Sequence, residues 1–223
     1  MPPSAGMPKI ADEKPTPRKR LSAPERRELI ERAAMEVFAE SGYHGGSIDE
    51  IARRAGITPP VLYDHFPSKL ALHKRLLERT RDELLEMWRS SLAGDDPAAV
   101  RVPRSIDAWS RYVEANPYAA RVFFMDTTGD PEARAIHREV AGQGLSALSS
   151  IMATETLPGV LPADQAPQLL EMASEVMRAG LSGLAIWWTE HPDVTREQIV
   201  FIGVNMLWIG LERALAGEFW TGP

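Results

Sequence analysis

Ser47-Ile-Asp-Glu-Ile-Ala-Arg-Arg-Ala-Gly56-Ile-Thr-Pro-Pro-Val-Leu-Tyr-Asp-His-Phe-Pro-Ser-Lys69 holds two helix starts and one enforced turn. Ser47 and Glu50 have capping-box spacing, in which the hydroxyl and the carboxylate each satisfy a backbone N–H at a helix start. Ile51, Ala52 and Ala55 give the first helix an apolar face. Gly56 stands where a residue free to adopt positive φ ends it. Thr58 is placed to cap a second helix, with Pro59 just inside, where a missing N–H costs nothing. Leu62 and Phe66 face inward one turn apart. Two short helices around a Gly-containing turn read as a helix-turn-helix.

The flanking chain supports that unit. Ser22 and Glu25 form a second capping box, and Leu29, Ile30, Ala33, Ala34, Val37 and Phe38 follow at helical spacing up to Gly42. Residues 21–67 thus predict a three-helix unit of about 45 residues, a size that needs further support to be stable. Upstream, Met1 to Arg20 holds five of the 18 prolines and few large apolar side chains, so residues 1–20 are expected to be a disordered tail. Its end, Arg18-Lys19-Arg20, is either an arm that enters a minor groove or a solvated cluster of charge.

Residues 68–223 read as helices throughout, with no strand-period alternation. Ser68 caps a long helix carrying Leu72, Leu76, Leu77, Leu84, Leu85 and Trp88. Gly94-Asp95-Asp96-Pro97 interrupts the pattern, and the next helix is expected from about Arg104 to Ala115. Pro117 and Pro131 start two more, and the last two segments run from about Gln165 to Glu190 and from Thr195 to Ala216. The final segment is apolar nearly all round, so it must be covered on both sides. A second copy of the chain is the expected cover, with Trp188, Phe201 and Trp208 at the interface; a central helix in a monomeric core is the other reading. The fold class is all-α, an N-terminal helix-turn-helix unit followed by a helical domain.

Composition narrows the function classes. The chain has no Cys, which excludes disulfides, thiolate metal sites and a cysteine nucleophile. The prolines and charges of the first residues do not make a secretory signal, and Ile199 to Leu211 is too short to span a bilayer, so a cytoplasmic protein without membrane association is expected. The net charge of −6 is unevenly spread: Lys14 to Arg81 holds 14 Lys/Arg against 9 Asp/Glu, and the chain from Asp82 holds 10 against 20. Such asymmetry suggests that the N-terminal part meets a polyanion. The five histidines show no paired metal-ligand spacing, and neither a phosphate-cradling loop nor a Gly-x-Ser-x-Gly turn occurs. No enzyme activity, cofactor or metal is expected.

In a helix-turn-helix the second helix presents its N-terminal turns to the major groove, which places Thr58, Pro59, Pro60, Val61 and Asp64 near base edges. Tyr63, His65, Lys69 and Ser47 are placed to meet phosphates. With its Ile-Ala-x-x-Ala-Gly-Ile core, Leu62-Tyr63-x-His65-Phe66 and Lys69, the stretch resembles the DNA-binding domain of the tetracycline-repressor (TetR) family, over about Ser22 to Leu77. The resemblance implies a homodimer on a palindromic double-stranded DNA operator, released when a small-molecule effector enters the C-terminal domain. By position, the family's DNA contacts fall on Ser47, Thr58, Pro59, Pro60, Val61, Tyr63, His65 and Lys69. Pro59, Pro60 and Val61 offer no side-chain hydrogen bonds, so part of the affinity is expected from Arg18, Lys19 and Arg20. Trp109, Tyr112, Phe123, Phe124, Met152, Met172, Met177 and Trp187 are the candidates to line an apolar effector pocket, and the same residue types also build ordinary helical cores. A helical ligand sensor or protein–protein adaptor without DNA reading is the alternative.

Overall fold

Hydroxyl groups set where the N-terminal helices begin. In the computed structural model, which describes residues 22–125, 129–155, 166–215 and 218, α1 (Ala23–Gly45) opens on a complete capping box. Ser22 N–H donates to Glu25 Oε2 at 2.7 Å and Glu25 N–H to Ser22 Oγ at 3.4 Å. The helix breaks at Gly42 (φ 68°, ψ 172°), and one last turn leads to Ser47. At α2 (Ile48–Ala55) only half the expected box is made. Ser47 Oγ accepts from Glu50 N–H at 3.1 Å, while the Glu50 carboxylate turns to Arg53 and Arg54. Gly56 ends α2 at φ 67°, a left-handed conformation that costs other residues about 1–2 kcal/mol. Thr58 occupies the cap position of α3 (Pro59–His65), but its side chain makes no capping bond; the prolines at the helix start take over that role by fixing φ. Ser68 Oγ caps α4 (Lys69–Leu92), accepting from Ala71 N–H at 3.0 Å.

Downstream lie α5 (Ala98–Ala115), α6 (Pro117–Phe124), α7 (Pro131–Glu155), α8 (Ala166–Thr189), α9 (Arg196–Gly203), a π-helical turn (Val204–Trp208) and α10 (Ile209–Leu215). Helix α5 begins at Ala98, not near Arg104, and continues through Pro103. Pro103 lies in the second turn, where its missing N–H removes one hydrogen bond without ending the helix. The last apolar segment is not a single α-helix, because the π turn divides it. Among the described residues there is no strand, and no helix is long and apolar enough to cross a membrane.

Two apolar clusters organise the packing. The first joins Ile30, Val37 and Phe38 of α1 to Ile51, Leu62 and Phe66 of the reading unit, and to Leu72, Leu76, Val122 and Val140. It crosses the expected boundary at residue 67, so α4, α6 and α7 give the three-helix unit the support its size requires. Ile30, Ile51, Leu62 and Leu72 are all 0% exposed, and each contributes about 1.5–3 kcal/mol. The second cluster gathers Trp88, Ile106, Trp109, Leu181, Ile199 and Trp208 from α4, α5, α8, α9 and the π turn.

Candidate functional site

The exposed edge of α3 is the first candidate surface. Thr58, Pro60, Tyr63 and Asp64 are exposed, as is Ser47 at the start of α2, while Pro59, Val61, His65 and Lys69 are half-buried. Tyr63, at 52% exposure, is the only large hydrophobic side chain of α3 left open. Lys69 is committed locally: Nζ donates to the carbonyls of Tyr43 and Gly46 at 2.9 and 3.1 Å and lies 4.4 Å from the Tyr43 ring centroid. It thereby secures the connector that sets Ser47. Arg18, Lys19 and Arg20 lie outside the described residues.

Carboxylates absorb much of the positive charge next to this surface. Arg54 donates to both oxygens of Glu40, at 2.9 and 2.6 Å, and to Glu50 at 2.8 Å. Hydrogen bonds from Arg53 and Arg54 pull the Glu50 carboxyl down to about 2. Glu40 is a residue that sequence reasoning missed. The Glu50–Arg54 spacing signalled only the local half of this clasp, whose other half ties α2 to α1.

The second candidate is an apolar cavity of about 90 Å³ between α4, α5, α6, α7 and α8. Trp109, Phe123 and Phe124 meet there, with Leu84, Leu148 and Leu181. Phe124 stands edge-on to Trp109 and to Phe123, at centroid distances of 6.4 and 5.3 Å. The other expected liners are placed elsewhere. Tyr112 points away and donates its hydroxyl to Glu83 at 2.8 Å. Met177 packs in the second cluster, Met172 and Trp187 are exposed on the outer surface, and the Met152 side chain lies outside the described residues. Four polar residues on the wall were missed: Arg81, Arg178, Ser182 and His137, whose Nε2 lies 2.8 Å from the Phe123 carbonyl oxygen. Nothing in their spacing marks them, since the helices that bring them together are far apart in sequence.

A third surface lies on α8 and α9. Val176, Phe201 and Met206 are 65%, 64% and 68% exposed, and Ile202, Met206, Gly180 and Leu184 line a shallow groove. The expected interface residues divide here: Phe201 faces out, whereas Trp188 and Trp208 are buried in the second cluster. Trp188 Nε1 donates to the Val194 carbonyl at 2.8 Å, which anchors the loop before α9. One helical position sends Trp187 outward, where it stacks on His191 at 3.9 Å, and Trp188 inward. Among the described residues no group of three or more His, Cys, Asp or Glu side chains is arranged to hold a metal.

Comparison with known proteins agrees with this arrangement. Residues 30–76 match the bacterial regulatory proteins, tetR family. The transcriptional activator FasR of Mycolicibacterium smegmatis is 39% identical over 105 residues, 47% of this chain and 48% of FasR, so the chain spans about half the length of that relative. In fold it is similar to the fatty acid degradation regulator FadR of Bacillus halodurans, with a TM-score of 0.68, 18% identity and coverage of 86% of this chain and 99% of that one. FadR of Bacillus subtilis, solved in complex with stearoyl-CoA, gives a TM-score of 0.61 at 20% identity, with the same coverage. The segment that matches the tetR family contains the whole of α2 and α3, and the helical remainder shares the architecture of those solved structures.

Proposed function

We propose that the protein is a DNA-binding transcription regulator, acting as a homodimer on a palindromic operator and responding to a small, largely apolar ligand in the cavity between α4 and α8. One observation carries this reading: α4 starts at Lys69, directly after the reading helix, and its Arg81, Leu84 and Trp88 form part of the cavity wall. A cavity of about 90 Å³ is far below the roughly 300–1,000 Å³ of pockets that enclose whole ligands. Filling it therefore moves the wall helices, and α4 carries that movement to the reading unit. A ligand that favours the moved arrangement shifts the population toward it, which is the requirement for control by a ligand.

At the DNA, α3 offers the Tyr63 hydroxyl, the Thr58 hydroxyl and the apolar edges of Pro60 and Val61. Such a surface reads thymine methyls and groove shape more than polar base edges. The tail from Met1 to Arg20 adds phosphate contacts. The exposed apolar strip of Val176, Phe201 and Met206 is covered by its two-fold copy, which sets the two reading helices at operator spacing. Ligand-driven release is the response of a repressor. The FasR relative, named an activator, supports a second reading in which the bound protein promotes transcription.

Fluorescence anisotropy with duplexes tiling the DNA around the protein's own gene tests the proposal. Sequence-selective binding should appear and weaken steeply with salt, Tyr63→Ala should weaken it at least about tenfold, in line with a lost specific contact, and removing residues 1–20 should flatten the salt slope. Acyl-CoA esters, suggested by the stearoyl-CoA complex of Bacillus subtilis FadR, are the first ligands to titrate. Binding indifferent to sequence, or no binding, refutes the reading.

A further inference from the structure

Glu31 of α1 is a carboxylate at only 5% exposure, held by three guanidinium groups. Arg27 and Arg75 donate to Oε1 at 3.4 and 3.2 Å, and Arg79 Nη1 donates to Oε2 at 3.2 Å. Arg79 also reaches along α4, its Nε donating to Glu83 Oε1 at 2.8 Å. The other oxygen of Glu83 accepts the Tyr112 hydroxyl of α5, also at 2.8 Å. An unbroken run of charged hydrogen bonds therefore joins α5 to α4 and α4 to α1, the helix on which α2 and the reading helix rest.

Both ends touch working parts of the molecule. Tyr112 lies one helical turn after Trp109 on α5, and Glu83 directly precedes Leu84; Trp109 and Leu84 line the cavity. We propose that Tyr112 is a positioning residue for the DNA-reading unit, acting through Glu83 and Arg79 on the buried Glu31. Its regulatory meaning rests on the ligand-responsive reading above. Displacement of α5 by a ligand at Trp109 withdraws the hydroxyl from Glu83. Glu83 is then free to draw Arg79 away from Glu31, and a buried carboxylate that loses one of its cations no longer holds α1 firmly against α4. Burial and the Glu83 carboxylate raise the Tyr112 phenol above its ordinary range, so it remains a proton donor throughout the physiological range. Networks of this kind respond as units, and removing one member changes the effect of removing another.

Hydrogen exchange followed by mass spectrometry on the full chain, without DNA or ligand, tests the relay. Tyr112→Phe should speed exchange of the α1 amides around Glu31 by roughly two- to tenfold, the range set by ordinary coupling energies. In a Glu31→Gln background the same change should add nothing there. Glu83→Gln, which keeps an acceptor for the hydroxyl but loses the charge that Arg79 needs, should also speed exchange in α1. Faster exchange confined to α4 and α5, or effects that simply add in the double variant, overturns the proposal. No DNA is required, so absent operator binding would count against the regulator reading alone and leave this result to stand by itself.

Discussion

Lowering the pH from 7 to 5 should destabilise the protein through one side chain, His73. Its ring is 2% exposed and sits between Phe38 and Tyr43 of α1, at centroid distances of 5.3 and 4.9 Å. Neither ring nitrogen has a hydrogen-bond partner among the described residues. Burial, aided by the positive charges of His137 on α7 and Lys69 on α4, drives its pKa from the ordinary 6.5 down to about 4. The unfolded chain takes up a proton below pH 6.5, and the folded chain resists it until about pH 4. The stabilisation is thus complete above 6.5 and is lost as the pH falls through that window. Linkage gives a loss of about 2 kcal/mol between pH 7 and pH 5. Carboxylates held low by arginines, such as Glu50 at about 2, lose their contribution only at lower pH, so they do not mask the effect. Urea unfolding at fixed protein concentration should show this loss in the wild type and about 2 kcal/mol less of it in His73→Phe, which keeps the aromatic contacts. Equal losses in both proteins refute this account of the buried ring.

Three further outcomes follow from the packing. Gly56→Ala, at φ 67°, should lower stability by about 1–2 kcal/mol and weaken operator binding by disturbing the turn between α2 and α3, as thermal unfolding and anisotropy will report. Trp109→Ala removes a ring that is 1% exposed and should cost about 3–5 kcal/mol in chemical denaturation. Replacing both Phe201 and Met206, 64% and 68% exposed, with Asp should leave circular dichroism unchanged and convert a dimer into a monomer in sedimentation velocity. A dimer that survives both charges refutes the interface assigned to this face.

Local patterns were legible in the sequence, and their partners across space were not. Ser22 with Glu25 named the start of α1, and Leu62 and Phe66 were correctly read as inward-facing, because capping and periodicity act within one turn. Pro103 was read as lying outside a helix that in fact contains it; early turns tolerate a missing donor. Trp187 and Trp188 have the same chemistry but lie on opposite sides of α8, a distinction of a single position. The setting of Glu31 had no local signature at all, since Arg75 and Arg79 approach it from 44 and 48 residues away. Trp109, Phe123 and Phe124 were identifiable as bulky apolar residues, but their meeting around one cavity depends on how α5 and α6 cross.

The π turn at Val204–Trp208 has a consequence for chain length. Phe201 and Met206 are five residues apart, as are Gly203 and Trp208; the first pair is exposed and the second buried. In a regular α-helix five residues advance about 500°, which would leave each pair roughly 140° out of line. The wider turn absorbs one residue and restores the alignment. Deleting one residue within 204–208 should therefore yield an ordinary helix that keeps Phe201 facing outward and Trp208 facing inward, whereas the same deletion in the middle of α8 would rotate everything after it out of register. The segment is a built-in allowance of one residue, and it lies where the inner and outer faces of the last helix must both be correct.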